Sequence, residues 1–241
     1  MMLQEAVERI TSEIASVGDQ TRLVAKRYEG VFLELRRMLK DELSRTATPA
    51  GRALVAMAIA DSAASAFTSH FPDQSKRDCR AGCDACCYLY VMIPPGLAEV
   101  IGGFLTERLD PVALAKLRVE LAAAAAAAAA VADPSRLRHR CPMLGSDGFC
   151  TIYEVRPLTC RAFTSKSAAA CRSLAFDPDG PVSTIPQAPS QFRVYIEATS
   201  ALEQAALSQG LPPQQTGLAA ALLTVLSEPD STQPALPPSR E

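Results

Sequence analysis

The sequence has little of what several large functional classes need. Its charges nearly cancel, with 24 Lys and Arg against 26 Asp and Glu and a formal net charge of −2. Because there is no basic excess, we expect neither a nucleic acid nor an anionic membrane surface as a partner. The first residues carry acidic side chains and no continuous apolar run, so we expect no signal peptide, no membrane-spanning helix and a cytoplasmic location.

Histidine is also scarce, and His70 and His139 leave little scope for acid–base catalysis by imidazole. The sequence has no internal repeat and no glycine-rich cofactor loop after a strand. Strand signal is limited to a short apolar run around Leu89 to Ile93. No catalytic residue or protein partner can be named, and the sequence leaves open whether the protein is an enzyme.

Most of the remaining sequence has the apolar spacing of amphipathic helices. Helices are predicted over 4–43 (one long or two shorter), 52–71, 97–109, 111–131, 192–208 and 216–227. Asp110 and Pro111 are typical of a helix start, and the alanine tract behind them favours a helix that serves as low-complexity filler. We expect the apolar stripe of the first helix, from Val7 to Leu39, to be buried.

The predicted fold is therefore mostly α, with helices flanking a loop-rich central cysteine segment. The predicted regions are an N-terminal helical region (1–72), a metal-binding cysteine domain that contains the alanine-rich helix (73–176), a C-terminal helical region (177–227) and a disordered tail (228–241).

Cysteine is what the sequence has in quantity. All eight cysteines lie between Cys79 and Cys171. The chain is long enough to form a core without disulfides, and in a reducing cytosol clustered thiols favour metal binding or redox chemistry. We therefore predict that these residues bind metal: Cys79, Cys83, Cys86, Cys87, Cys141, Cys150, Cys160 and Cys171.

The first four cysteines form the pattern C-x3-C-x2-C-C. On an α-helix they would share a face of about 100°, whereas on a loop Cys83 and Cys86 could still curl around one ion. The adjacent Cys86 and Cys87 should point apart, so we do not expect them to share one ion. One of the two then serves a second centre, bridges metals or is buried as a small hydrophobic residue.

The other four cysteines lie in a segment with stiffening residues, among them Pro142, the GSDG turn and Pro157. Arg156 and Arg161 either donate hydrogen bonds to sulfur or are solvated. His139 fits an exposed loop better than a ligand position. Three tyrosines near the cysteines are predicted to shield the site from water: Tyr88, Tyr90 and Tyr153.

CRAGCDACC and CPMLGSDGFCTIYEVRPLTCR together resemble the YkgJ-type cysteine-cluster family. That family is described as a zinc- or iron-chelating domain and is related to the cluster region of flagellin lysine N-methylases. Its pattern falls on Cys79, Cys83, Cys86, Cys87, Cys141, Pro142, Leu144, Cys150, Ile152, Tyr153, Arg156, Pro157, Cys160 and Arg161. The resemblance implies metal or cluster binding, with no defined biochemical role.

Eight thiolates fit either a four-iron (4Fe–4S) iron–sulfur cluster with spare cysteines or two zinc sites, and copper or other soft ions also suit thiolates. The wide spacing of the last four cysteines differs from paired zinc knuckles and favours the cluster. A structural zinc protein is one alternative. A cluster-dependent methyltransferase or radical-SAM-like enzyme is another, although Ala85 stands where radical SAM motifs have an aromatic residue and no strand–helix alternation is visible.

The motifs also rank the ligands. Replacing Cys83 or Cys160 with Ser should abolish metal binding, because each lies inside a compact matched motif. Cys171→Ser should be tolerated better, because Cys171 lies outside the tighter pattern. Metal content after desalting measures the difference, and equal loss in all three variants would contradict the ranking.

Overall fold

The computed structural model describes residues 2–71, 77–80, 82–177, 179–180, 182 and 184–227. Its helices are α1 (Met2–Arg45), α2 (Pro49–His70), α3 (Leu97–Arg108), α4 (Pro111–Ala129), α5 (Leu158–Ala162), α6 (Ala168–Phe176), α7 (Pro189–Leu207) and α8 (Leu218–Ser227). The strands β1 (Met92–Ile93) and β2 (Thr216–Gly217) form one antiparallel pair. The mostly α prediction is confirmed, and the predicted tail at 228–241 lies outside the described residues.

The helix starts follow from local capping. Thr48 accepts a hydrogen bond from the Gly51 amide at 3.1 Å, and Pro49 takes the first helical position of α2. In α4 the Asp110 side chain accepts from the Ala113 amide at 2.8 Å, which confirms the predicted cap.

Contacts divide the chain into two compact units, Met1–Met38 and Leu39–Glu241. The first unit is most of α1. Phe32 and Leu35 of this unit are buried and Tyr28 is half-buried, but the aliphatic residues of the stripe from Val7 to Val31 are exposed. The expected burial of the stripe is therefore wrong over this stretch. Regularly spaced apolar residues show that a helix has an apolar face, but they do not show that another part of the same chain packs against it.

The second unit has a helical core. α2 packs against α3 and α7, α8 packs against α3 and α4, and α5 packs against α7. Its almost fully buried apolar side chains include Leu97, Ile101, Leu121, Leu158 and Leu222. Although no membrane-spanning helix is expected from the sequence, α2 is long and apolar enough to cross a membrane by length and composition alone, a test that a buried core helix also passes.

The alanine tract is helical as predicted and lines an apolar cavity of about 280 Å³. Ala124, Ala125, Ala128 and Ala129 face this cavity together with residues of β2 and α8. The tract is therefore part of the packing of the second unit, and its small side chains leave room that larger ones would fill.

Gly96 should be essential for the packing between the starts of α2 and α3. Its φ is +88°, and an added Cβ would overlap the Pro49 carbonyl group. We expect Gly96→Ala to lower the free energy of unfolding by roughly 2 kcal/mol or more, through left-handed strain and the overlap. Gly103→Ala is the matched control, because Gly103 is helical with open space around it and Ala there should stabilise by up to about 1 kcal/mol. Urea unfolding measures both, and equal stability of the two variants would contradict the packing role.

Candidate metal centre

The first cysteines lie on a loop and not on the α-helical face that was one of the two alternatives. Gly82 has a φ of +79°, and the Cys83 amide donates to the Arg80 carbonyl at 3.1 Å. The Ser165 amide donates to the Cys79 sulfur at 3.1 Å, while the Cys79 amide donates to the Ser165 carbonyl at 3.4 Å. The loop is therefore fastened to the chain segment that follows α5.

Cys86 and Cys87 lie on the 3₁₀ turn Ala85–Tyr88. Interaction with the neighbouring Cys87 thiol, together with the Arg156 guanidinium 3.7 Å from the Cys86 sulfur, lowers the pKa of Cys86 to about 6. The same interaction and burial raise the pKa of Cys87. Cys86 is therefore the more readily ionised of the two adjacent thiols.

Backbone hydrogen bonds bring the second motif against the first. The Cys141 amide donates to the Cys87 carbonyl at 2.7 Å. Cys150 forms a bridge with Leu144, across a turn in which the Gly145 amide donates to the Phe149 carbonyl at 2.8 Å. The tight turn predicted for GSDG is therefore present.

The last two cysteines lie on short helices, Cys160 on α5 and Cys171 on α6. Burial raises the pKa of Cys141 to about 11 and that of Cys160 to about 12. Burial also raises the pKa of Cys150 and of Cys171. These four groups are neutral thiols near pH 7, and a metal that binds them displaces protons.

The cysteines surround two neighbouring cavities. The outer cavity, of about 320 Å³, is lined by Cys79, Cys83, Cys86, Cys87, Cys150 and Cys171. The inner cavity, of about 40 Å³, is lined by Cys86, Cys87, Cys141, Cys150 and Cys160. Every predicted cysteine thus lines at least one cavity, including Cys171, which the sequence ranks lowest. Within the described part of the chain, no three Cys, His, Asp or Glu side chains meet as a finished metal site.

Two polar side chains at the outer cavity were not found from the sequence. Thr164 Oγ1 and Gln191 Oε1 are buried and have no hydrogen-bond partner among the described residues. A buried polar atom normally has a hydrogen-bond partner. The two atoms without one therefore suit a cavity that binds a polar or charged group. No motif marks either residue, because packing of α7 and the turn after α5 brings them to the cavity.

The two arginines of the second motif have different roles. Arg156 points its guanidinium at the Cys86 sulfur. Arg161 donates to the carbonyls of Arg156 and Glu154, each at 2.8 Å, and pairs with Asp61 at 3.2 Å. Arg156 can therefore offset thiolate charge directly, whereas Arg161 holds the stretch of backbone to which Arg156 belongs.

His139 lines the apolar cavity and is not among the residues that line the outer or the inner cavity. Its Nδ1 lies 2.9 Å from the Arg140 carbonyl. Tyr90 borders the inner cavity, and the exposed Tyr153 borders the outer one. Tyr88 packs edge-on against Phe176 of α6. The tyrosines are thus near the cysteines, as their positions in the sequence suggest.

Comparison with known families identifies the cysteine-containing segment. Residues 78–177 match the family model described as "CxxCxxCC: Putative zinc- or iron-chelating domain". The matched segment is less than half of the chain and contains all eight cysteines. No curated protein and no solved structure matches the chain. The resemblance to a cysteine-cluster family is confirmed for this segment, and metal binding is supported.

The contact between Arg156 and Cys86 predicts a specific defect. Arg156→Leu should weaken metal binding by about 10- to 100-fold, because a charged partner beside a ligand is lost. Arg172→Leu is the matched control: it removes the same charge next to Cys171, but Arg172 is exposed and its contact is with Asp84, at 3.9 Å. Competition with a coloured chelator measures affinity, and circular dichroism checks folding. Equal affinities for the two variants would show that Arg156 does not act on the metal.

Proposed function

Since residues 78–177 match a zinc- or iron-chelating domain of the CxxCxxCC family, we propose that the protein holds a four-iron iron–sulfur cluster on thiolates from both cysteine motifs. The observation that carries the proposal is the composition of the outer cavity. Among the described residues, six cysteines and four arginines (Arg77, Arg80, Arg156 and Arg161) line it, and no histidine or carboxylate does.

A donor set rich in thiols favours soft metals. Iron–sulfur clusters, zinc and copper(I) suit such ligands, whereas magnesium and calcium prefer carboxylate-rich sites, and the described residues that line the two cavities include no carboxylate. Guanidinium groups around the outer cavity would offset the negative charge of bound thiolates and of cluster sulfide.

The size of the outer cavity favours a cluster over a single ion. One water takes about 30 Å³ of liquid volume, so the outer cavity, at about 320 Å³, has room for a group of several atoms. Cys86, Cys87 and Cys150 line both cavities, so thiols from both motifs lie at the wall of the outer cavity.

A structural zinc ion is the second candidate, and the inner cavity is what favours it. At about 40 Å³ this cavity is the size of one ion or water, and Cys141 and Cys160 line it with raised pKa values caused by burial. Zinc bound there would link the two motifs as a closed tetrahedral site. A radical-SAM-like enzyme receives no support from the described residues, whose strands are β1 and β2 alone.

The expected result is that protein purified without oxygen is brown, absorbs broadly in the visible range and contains iron and acid-labile sulfide in equal amounts. Elemental analysis, sulfide assay and absorption spectra measure this, and protein reconstituted with zinc alone is the matched control. Colourless protein with stoichiometric zinc, and no uptake of iron and sulfide on anaerobic reconstitution, would overturn the cluster proposal in favour of structural zinc.

A further inference from the structure

The first unit has an apolar face that no described part of the chain covers. Six aliphatic residues on this face have about half or more of their surface exposed: Val7 (53%), Ile10 (55%), Ile14 (66%), Val17 (53%), Val24 (66%) and Val31 (49%). Isolated exposed apolar residues are ordinary, but a continuous stripe on one helix marks an interaction surface.

The stripe has the repeat of a coiled coil. Its positions advance by three and four residues in strict alternation over 7, 10, 14, 17, 21, 24, 28 and 31, with Thr21 at the fifth position and Tyr28 at the seventh. A straight helix has 3.6 residues per turn, so an unbroken 3.5-residue repeat drifts unless the helix supercoils around a partner. More than three heptads of this pattern indicate that the partner is another helix.

We propose that residues 7–31 of α1 pair with the same segment of a second copy of this chain, as an antiparallel coiled coil. One flank of the stripe carries Glu13, Gln20 and Arg27, and the other flank carries the uncharged Thr11, Gly18 and Ala25. When Ile14 packs against Val24 of the second copy, the charged flanks of the two helices meet. Glu13 then faces Arg27 of the second copy, and this contact occurs twice in the pair.

A parallel pair lacks this complementarity. In a parallel coiled coil, the charged flank of one helix faces the uncharged flank of the other helix, slightly farther along the chain. Glu13 would then face Gly18, and Arg27 would face Phe32. Phe32 is fully buried within its own chain and is not offered to a second helix. Charge complementarity therefore selects the antiparallel orientation.

Glu13 and Arg27 are available for these contacts. Both residues are exposed, and their side chains make no hydrogen bond or ion pair with another described residue. Other charges of α1 are paired within the helix, as Asp19 is with Arg22. Pairing with a second copy would supply the partners that Glu13 and Arg27 lack.

The polar face of α1 argues for a second copy over a lipid surface. It mixes acidic and basic residues, with Glu8 and Asp19 among Arg22 and Lys26. Helices that lie on membranes carry a polar face rich in Lys and Arg. Mixed charge is typical of the outer faces of a coiled coil.

Sedimentation equilibrium of the full chain tests the pairing. We expect a monomer–dimer equilibrium that Ile14→Asp shifts to monomer, because a charge would enter the apolar seam. Leu23→Asp is the matched control, since Leu23 is equally exposed but lies off the stripe, and it should leave the dimer intact. Bound metal should be unchanged in both variants. A protein that is monomeric at all accessible concentrations, a trimer, or association that Ile14→Asp leaves unaltered would overturn the proposal.

Charge reversal tests the orientation. Glu13→Arg alone or Arg27→Glu alone should raise the dimer dissociation constant roughly tenfold, and combining the two changes should restore it, since the pair re-forms with its signs exchanged. Lys26→Glu, one residue away on the outer face, controls for net charge and should have little effect. Single reversals without effect, a double variant as weak as either single one, or binding of α1 to anionic vesicles in place of dimerisation would each overturn the antiparallel pairing.

Discussion

The hydrogen bond from the Cys141 amide to the Cys87 carbonyl is the contact on which the cysteine site depends. It belongs to a short backbone ladder, in which the His139 amide also donates to the Tyr88 carbonyl and Leu89 forms a bridge with Arg138. This ladder joins the two ends of the long segment that contains β1, α3 and α4, and so brings the two motifs together. The entropic cost of closing a loop grows slowly with its length, so this long segment adds little to that cost, and its helices pack into the core.

The site limits its own charge before any metal binds. Burial keeps Cys141 and Cys160 protonated, whereas Cys87 and Arg156 lower the pKa of Cys86. Thiolates crowded into one small region would repel one another strongly, so the buried thiols are most stable in their neutral form without a metal. A bound metal or cluster then replaces protons, and the arginines of the outer cavity would balance the charge that results.

The sequence predicts the helices well and the geometry of the site only in part. Apolar spacing and the cap at Asp110 depend on local physics, and α4 begins where they indicate. The helical face proposed for the first motif fails because Gly82 takes a left-handed φ and the chain turns there. Gln191 reaches the cavity through tertiary packing, which no local pattern encodes.

The two sides of the site are held by different forces. On the inner side Cys160 follows the fully buried Leu158 on α5, which packs against α7, and Cys150 precedes the buried Ile152. On the outer side the Cys79 and Cys83 loop has little apolar burial and is held by the backbone and sulfur contacts with Ser165. The hydrophobic core therefore positions the inner thiols without a metal, whereas the energy of metal binding would act mainly on the outer loop. A bound metal would then order the outer loop against a preformed inner wall, and the rest of the second unit would stay folded without it.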